Sequence, residues 1–158
     1  MNIFVLDLNA QSCVAMHCDK HVVKMILEYA QLLSTAHHVL DAENAISNIY
    51  KKTHVNHPSS VWTRESSQNY VWLYNLFKEL CFEYTRRYNK VHLTQTKLLD
   101  VLSQLPKNIP TGEMTKFKLA MPDQYKSDDA VESYRAYYVN EKSSIATWKY
   151  NQKPDWMT

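Results

Sequence analysis

Four side chains of catalytic type are regularly spaced near the start of the chain. His17, His21, Lys24 and Glu28 stand at i, i+4, i+7 and i+11. At roughly 100° per residue on an α-helix, they fall within an arc of roughly 60°. Imidazoles, an amine and a carboxylate on one face are the groups of acid–base and Schiff-base catalysis. An ordinary polar face with a Lys24–Glu28 ion pair, worth about 0.3–0.5 kcal/mol, fits the same spacing. We interpret the face as a candidate active site centred on Glu28.

A metal site is the second interpretation of these histidines. His17 and His21 are spaced to reach one ion, and the loop 53–58 offers His57 as a further ligand. The chain has no CxxC pair, and Glu28 forms no HExxH motif, so this metal set is the weaker alternative. His54 and His57 are instead expected to support the site by fixing their loop against the core. We expect no cofactor.

Hydrophobic periodicity predicts the elements that position this face. Gly112 is the only glycine, which excludes a glycine-rich phosphate loop and disfavours tight hairpins. Apolar residues recur at helical spacing over about residues 13–40, 58–65, 67–88, 94–105 and 129–148. The prediction is an all-α fold: a single compact helical domain, 1–158, of three long helices plus shorter ones. A short extended N-terminal arm, residues 3–6, precedes them.

The composition of the chain indicates the cellular compartment in which it is expected to work. The net charge is +2, and the three cysteines are odd in number, which is typical of a reducing compartment. The first residues show no secretory signal, and no apolar run is long enough to span a bilayer. We therefore expect a cytoplasmic protein with no membrane partner.

Three short segments follow one another along the chain in an order typical of one enzyme family. Asp19-Lys20-His21 is followed at Glu28 by a carboxylate, seven residues after the histidine. Asn56-His57-Pro58 precedes a long predicted helix that ends Glu83-Tyr84-Thr85-Arg86-Arg87-Tyr88, and Glu141-Lys142 leads to Trp148-Lys149-Tyr150. In order and spacing, over most of its length, the chain resembles the phage pyrimidine-dimer DNA glycosylase family of the endonuclease V type.

The resemblance implies an all-helical, metal-independent enzyme that binds double-stranded DNA, flips out a nucleotide and cleaves the glycosidic bond at a pyrimidine lesion. A primary amine attacks the sugar C1′ to form a Schiff base, and β-elimination then nicks the strand. Glu28 matches the glutamate that stabilises positive charge and moves protons in this family. A phage-encoded member would act in the cytoplasm of the host cell.

The nucleophile is where the chain departs from the family. Its best-known members use the α-amine of a threonine exposed by removal of the initiator methionine. Here residue 2 is Asn2, which is too large for efficient methionine removal. The α-amine of Met1 and the amine of Lys24 are therefore both candidates. An ordinary α-amine has a pKa of about 7.7–8.0, whereas lysine, at about 10.4, would need burial or cationic neighbours such as His17 and His21.

DNA contacts are expected from cations at predicted helix ends and from the aromatic tail. The cations suit phosphates, whereas Tyr150 and Trp156 suit stacking on unpaired bases and Trp148 continues an apolar stripe into the core. The predicted phosphate contacts are Arg86, Arg87, Lys90, Lys142 and Lys149. A non-catalytic DNA-binding domain is the further alternative that this composition leaves open.

Overall fold

A computed structural model describes residues 1–158 and contains six α-helices and no β-strand. Short 3-10 turns at Ala42–Asn44, Val101–Ser103 and Asp123–Tyr125 and a π-helical turn at Tyr138–Lys142 complete it. The all-α prediction is confirmed. The helices are α1 (Ala10–Met16), α2 (Asp19–Asp41), α3 (Pro58–Thr63), α4 (Ser67–Tyr88), α5 (Leu93–Leu98) and α6 (Ala130–Tyr137).

None of these helices has the length and apolarity needed to cross a membrane.

Side-chain caps fix where several helices begin. Asn9 accepts a hydrogen bond from the backbone N–H of Ser12, and Ser66 accepts one from Asn69. Asp129 accepts one from Glu132 at the start of α6. Each bond satisfies a backbone donor that the first helical turn leaves free. The starts of α4 and α6 agree with the predicted ranges 67–88 and 129–148, whereas α1 begins at Ala10, three residues before the predicted start.

The predicted first long helix is wrong in one respect, because it is broken at His17 and Cys18. Both residues are extended, with ψ of 131° and 161°. The backbone N–H of Cys18 donates to the Tyr138 hydroxyl at 3.2 Å, and that of Asp19 donates to the Thr147 carbonyl at 2.8 Å. These distant partners replace the helical hydrogen bonds, so His17 does not belong to the helix that carries Glu28.

The third predicted long helix is also shorter than expected. α6 ends at Tyr137 and passes into the π-helical turn, so residues 145 and 148 lie beyond it. The predicted helix 94–105 is reduced to α5 followed by a 3-10 turn. Two long helices, α2 and α4, therefore form the framework of the domain.

The core lies between α2 and α4, and the N-terminal arm is buried as part of it against α2 and α6. Ile26 and Tyr29 of α2 and Tyr70 and Phe77 of α4 are fully buried. Residues 3–6 of the arm are at most 4% exposed. Full burial of side chains of this size stabilises a fold by about 1.5–3 kcal/mol each. The arm is therefore held firmly, and the position of residue 1 is fixed with it.

Candidate active site

An ion pair between the chain's first amine and Glu28 lies at the centre of the site. The α-amino nitrogen of Met1 is 2.7 Å from Oε1 of Glu28, with side chains only 5% and 11% exposed. Oε2 of Glu28 is buried without a hydrogen-bond partner. Buried carboxylate oxygens are normally satisfied, and those left without a partner call for an explanation, such as a catalytic role.

Contacts along the arm hold the amine in place. Asn2 donates through its amide to the carbonyl of Ala120 at 2.8 Å and accepts from the Tyr134 hydroxyl at 2.9 Å. The backbone N–H of Phe4 donates to the Tyr29 hydroxyl at 3.2 Å. Glu28 lies on α2 one turn before Leu32, which is fully buried in the core. Two rigid elements thus bring the amine and the carboxylate together.

A pocket of about 260 Å³ opens over this pair. Lys24, Lys142, His21 and His57 line it together with Met1, and Glu28 is its one carboxylate. The amine and the two lysines give the pocket an excess of positive charge, which favours an anionic ligand. The structure therefore brings Met1, Lys24, Glu28 and His21 together, and His57 joins them from its loop.

The two candidate amines differ in their surroundings. The Lys24 amine lies 3.6 Å from Oε2 of Glu28, and its side chain is 68% exposed. It lacks the burial that activates a nucleophilic lysine. The Met1 amine is enclosed and bonded to the carboxylate that would accept its proton. The geometry favours Met1.

His21 is enclosed by aromatic rings. Its imidazole stacks on Phe4 with ring centroids 4.3 Å apart, and its Nδ1 lies 2.5 Å from the Tyr138 hydroxyl. Burial, together with the nearby His17, Lys142 and Lys24, lowers the pKa of His21 to about 3. His21 is therefore a neutral side chain of the pocket near pH 7.

His17 lies behind the pocket rather than in it, contrary to the prediction of one catalytic face. Its Nδ1 is 2.8 Å from the Cys13 carbonyl, and its Nε2 is 2.8 Å from the Tyr29 hydroxyl. The side chain is fully buried, and burial lowers its pKa to about 4. With both nitrogens engaged, His17 links α1 to α2 and has no atom left for a substrate.

The same contacts contradict the metal set His17, His21 and His57. The structure contains no group of three or more His, Cys, Asp or Glu side chains arranged to hold a metal ion. His17 is excluded from such a group by its two internal hydrogen bonds.

The two loop histidines have separate roles. His57 caps α3, because its Nδ1 accepts from the backbone N–H of Ser59 at 3.1 Å, and it lines the pocket. Burial and the charge of the Met1 amine lower its pKa. His54 is exposed, bonds to the Thr53 hydroxyl and lies outside the pocket.

Arg87 does not reach the surface, which contradicts its prediction as a phosphate contact. Its fully buried guanidinium bonds Glu83 at 2.6 Å and Asp19 at 3.1 Å, and donates to the carbonyls of Val14 and Ala15. It joins α4 to α1 and α2. Arg86 is 53% exposed although paired with Glu83.

Some of the other predicted DNA contacts are exposed on the surface, and others are packed against the core. Lys90 and Lys149 are exposed, Lys142 is half-buried, and Tyr150 is 47% exposed. Trp156 instead packs on the core beneath the guanidinium of Arg135, 5.3 Å from its ring centroid. This contact argues against Trp156 as a stacking platform.

Sequence reasoning missed Tyr138 as a residue of the site. Tyr138 lies within the range 129–148 predicted from apolar spacing and is fully buried, yet its hydroxyl bonds both Cys18 and His21. Nothing in the local sequence signals a hydroxyl whose partners lie about 120 residues away.

Comparison of the chain with family models, curated proteins and solved structures finds no match.

Proposed function

We propose that the chain is an enzyme resembling a pyrimidine-specific DNA glycosylase/AP lyase, with the Met1 amine as nucleophile. Glu28 would be its charge stabiliser and proton carrier. The observation that carries the proposal is the 2.7 Å contact between the buried amine and Oε1 of Glu28. The resemblance of the three ordered segments supports the same chemistry. The substrate would be double-stranded DNA, reached in the cytoplasm of a host cell.

The first chemical step uses both members of the pair. The ammonium group of Met1 transfers a proton to Glu28 over a hydrogen bond of suitable length. The freed electron pair of nitrogen adds to C1′ while the bond from C1′ to the damaged base breaks. The base leaves with that bond's electrons and takes up the proton that the attacking nitrogen, now a secondary ammonium, releases.

The second step breaks the strand. The C1′–O4′ bond opens, O4′ takes the proton that Glu28 had accepted, and an iminium forms between the Met1 nitrogen and C1′. The carboxylate of Glu28, once it has released its proton, removes a proton from C2′. The C–H electrons form the C2′–C3′ double bond and expel the 3′ phosphate. The negative charge that Glu28 carries beside the newly formed iminium stabilises this second step in an enclosed pocket.

Cations in and around the pocket would form the surface that DNA approaches. Lys24 and Lys142 line the pocket, and Arg86, Lys90 and Lys149 lie outside it. Lysine and arginine at such positions neutralise phosphates and release counterions. Arg87 takes no part, because it is buried.

Borohydride trapping tests the proposal. The protein is incubated with duplexes that contain a pyrimidine dimer or an abasic site, reduced, and mapped by mass spectrometry. We expect a covalent adduct on the peptide that begins with Met1, and we expect Lys24→Arg to trap as efficiently as wild type. Intact-mass measurement checks that the purified chain begins at Met1.

An adduct on Lys24 would overturn the assignment of the nucleophile. Absence of any adduct, with salt-dependent DNA binding retained, would instead favour a non-catalytic DNA-binding domain.

A further inference from the structure

The backbone of α3 determines which nitrogen of His57 carries a proton. The N–H of Ser59 donates to Nδ1 of His57 at 3.1 Å. A backbone N–H can only donate, so this Nδ1 is an acceptor and carries no hydrogen. In the neutral imidazole the proton must then lie on Nε2.

Tyr138 determines which nitrogen of His21 carries the proton. Its hydroxyl oxygen accepts from the backbone N–H of Cys18 at 3.2 Å, and its hydrogen has two acceptors in reach. One is Nδ1 of His21 at 2.5 Å, and the other is the sulfur of Cys18 at 3.6 Å. Sulfur is a weak acceptor and the imidazole nitrogen a strong one, so the hydroxyl donates to Nδ1. The proton of His21 again lies on Nε2.

Both Nε2 atoms are free for a ligand. Neither makes a hydrogen bond within the protein, and neither is among the buried polar atoms that lack a partner. Both side chains line the pocket that holds Met1 and Glu28. Burial and neighbouring positive charge keep both imidazoles neutral, with the pKa of His21 at about 3 and that of His57 lowered.

The chemistry of the lining identifies the ligand atom. Around the Met1 amine the pocket offers two lysines and two imidazole N–H groups, while its one carboxylate is already paired with that amine. Such a set of donors and cations matches an anionic oxygen, and hydrogen bonds to a phosphoryl oxygen are of the strong, charge-assisted kind.

We propose that His21 and His57 are paired neutral hydrogen-bond donors that bind a phosphoryl oxygen next to the sugar that reacts with Met1, with Tyr138 as the positioning residue of His21. The identity of the ligand as DNA rests on the proposed function. The pair neither transfers protons nor holds a metal.

Two matched substitutions separate donation from capping at His57. His57→Asn keeps an acceptor near the position of Nδ1 and so keeps the cap of α3, but it loses the distal donor. His57→Gln does the reverse, because its amide nitrogen reaches the position of Nε2. Affinity is measured on a duplex with a tetrahydrofuran abasic analogue, which cannot form a Schiff base.

We expect His57→Asn to weaken this binding by about tenfold to a hundredfold, the usual effect of losing a hydrogen bond to a charged group. The affinity of His57→Gln for the duplex should stay within about threefold of wild type. This variant should melt at a lower temperature, because it loses the cap of α3. The same difference in duplex affinity is expected at the other histidine: His21→Asn should weaken binding, and His21→Gln should stay close to wild type.

A phosphate cycle identifies the acceptor. A methylphosphonate next to the analogue should weaken binding of the wild type more than it weakens binding of His57→Asn, because the variant has already lost one donor to that oxygen. If the loss of binding free energy caused by the methylphosphonate simply adds to the loss caused by His57→Asn, the phosphoryl assignment is overturned. Wild-type affinity in His57→Asn with loss in His57→Gln would show a capping role only, and undetectable duplex binding at low salt would also overturn the proposal.

The ring nitrogens can be observed directly in the free protein. Nitrogen-15 NMR of the seven histidines, assigned with His21→Gln and His57→Gln, should show a proton on Nε2 alone at both positions. A proton on Nδ1 of His21 would refute the role of Tyr138. Neither the spectra nor the binding assay needs a covalent adduct. If borohydride trapping fails, these two experiments therefore still test the inference independently.

Discussion

Glu28→Gln is the substitution that separates the proposed catalytic role of the central ion pair from its structural role. It keeps the shape of the side chain and removes the negative charge 2.7 Å from the Met1 amine. Breaking a buried ion pair by removing one partner commonly costs about 3–5 kcal/mol. The cost here is limited, because the pair lines a pocket that opens to solvent, where water can solvate the amine left without its partner. We therefore expect the free energy of unfolding to fall by only about 1–2 kcal/mol.

The effect on activity should be far larger and unequal between the two steps. The neutral amine can still add to C1′, but the iminium loses its counter-charge and the C2′ proton loses its acceptor. We expect strand nicking to fall by about two to four orders of magnitude, the usual range for such groups. Borohydride-trapped adduct should decline less than nicking does.

Single-turnover nicking of an abasic-site duplex, run beside trapping and urea denaturation, measures these quantities. Asp41→Asn is the matched control: Asp41 is a buried carboxylate on the same helix, 3% exposed, that binds the backbone N–H groups of residues 107 and 108. It should lose stability and keep full nicking activity. Near-normal nicking by Glu28→Gln would refute the proposed role of the pair.

Three further predictions concern pH, salt and the tail. Burial gives His17 and His21 pKa values of about 4 and about 3 in the folded chain, against about 6.5 for an ordinary histidine, so the unfolded chain takes up protons first as the pH falls. Stability is thus complete above pH 6.5 and should fall by several kcal/mol as the pH drops toward 4, as measured by denaturant titration. Lys142→Ala should reduce the slope of log affinity against log salt by about 1. Truncation after residue 149 should lower the melting temperature, because it removes Met157, 5% exposed, and the packed Trp156.

Each of these has a clear contrary result. Stability that is flat between pH 6.5 and 4 would contradict the burial of the neutral His17 and His21 side chains. An unchanged salt slope would remove Lys142 from the DNA surface. A truncated chain that melts normally would show that the tail only contacts ligand, and Tyr150→Ala, at an exposed position, is the control that should leave melting unchanged.

Local signals predicted the elements whose causes are local. Ser66 and Asp129 cap helices through bonds to residues three positions away, so the sequence carries the whole interaction. The buried stripe of α2, with Val22, Ile26 and Leu33 fully enclosed, follows from spacing alone. The break before α2 does not, because it depends on Tyr138 and on the carbonyl of Thr147.

The candidate site shows the same division. Lys24 and Glu28 share a face because they are one turn apart on a single helix. That the Met1 amine reaches Glu28 depends on how the arm packs between α2 and α6, which no spacing in the sequence encodes. Arg87 was misjudged for a related reason: a cation at a helix end suggests solvent, whereas its carboxylate partner Asp19 comes from another helix.

Because the α-amino nitrogen of Met1 lines the pocket, any covalent modification of that nitrogen changes the pocket itself. A formyl or acetyl group there, or an affinity tag fused ahead of Met1, would turn the cation into a neutral amide. It would also force extra atoms between that nitrogen and the carboxylate 2.7 Å away. Recombinant protein carrying an upstream tag would fold around the same core and yet present a blocked site, so purification by a C-terminal tag is the arrangement that leaves this chemistry open to assay.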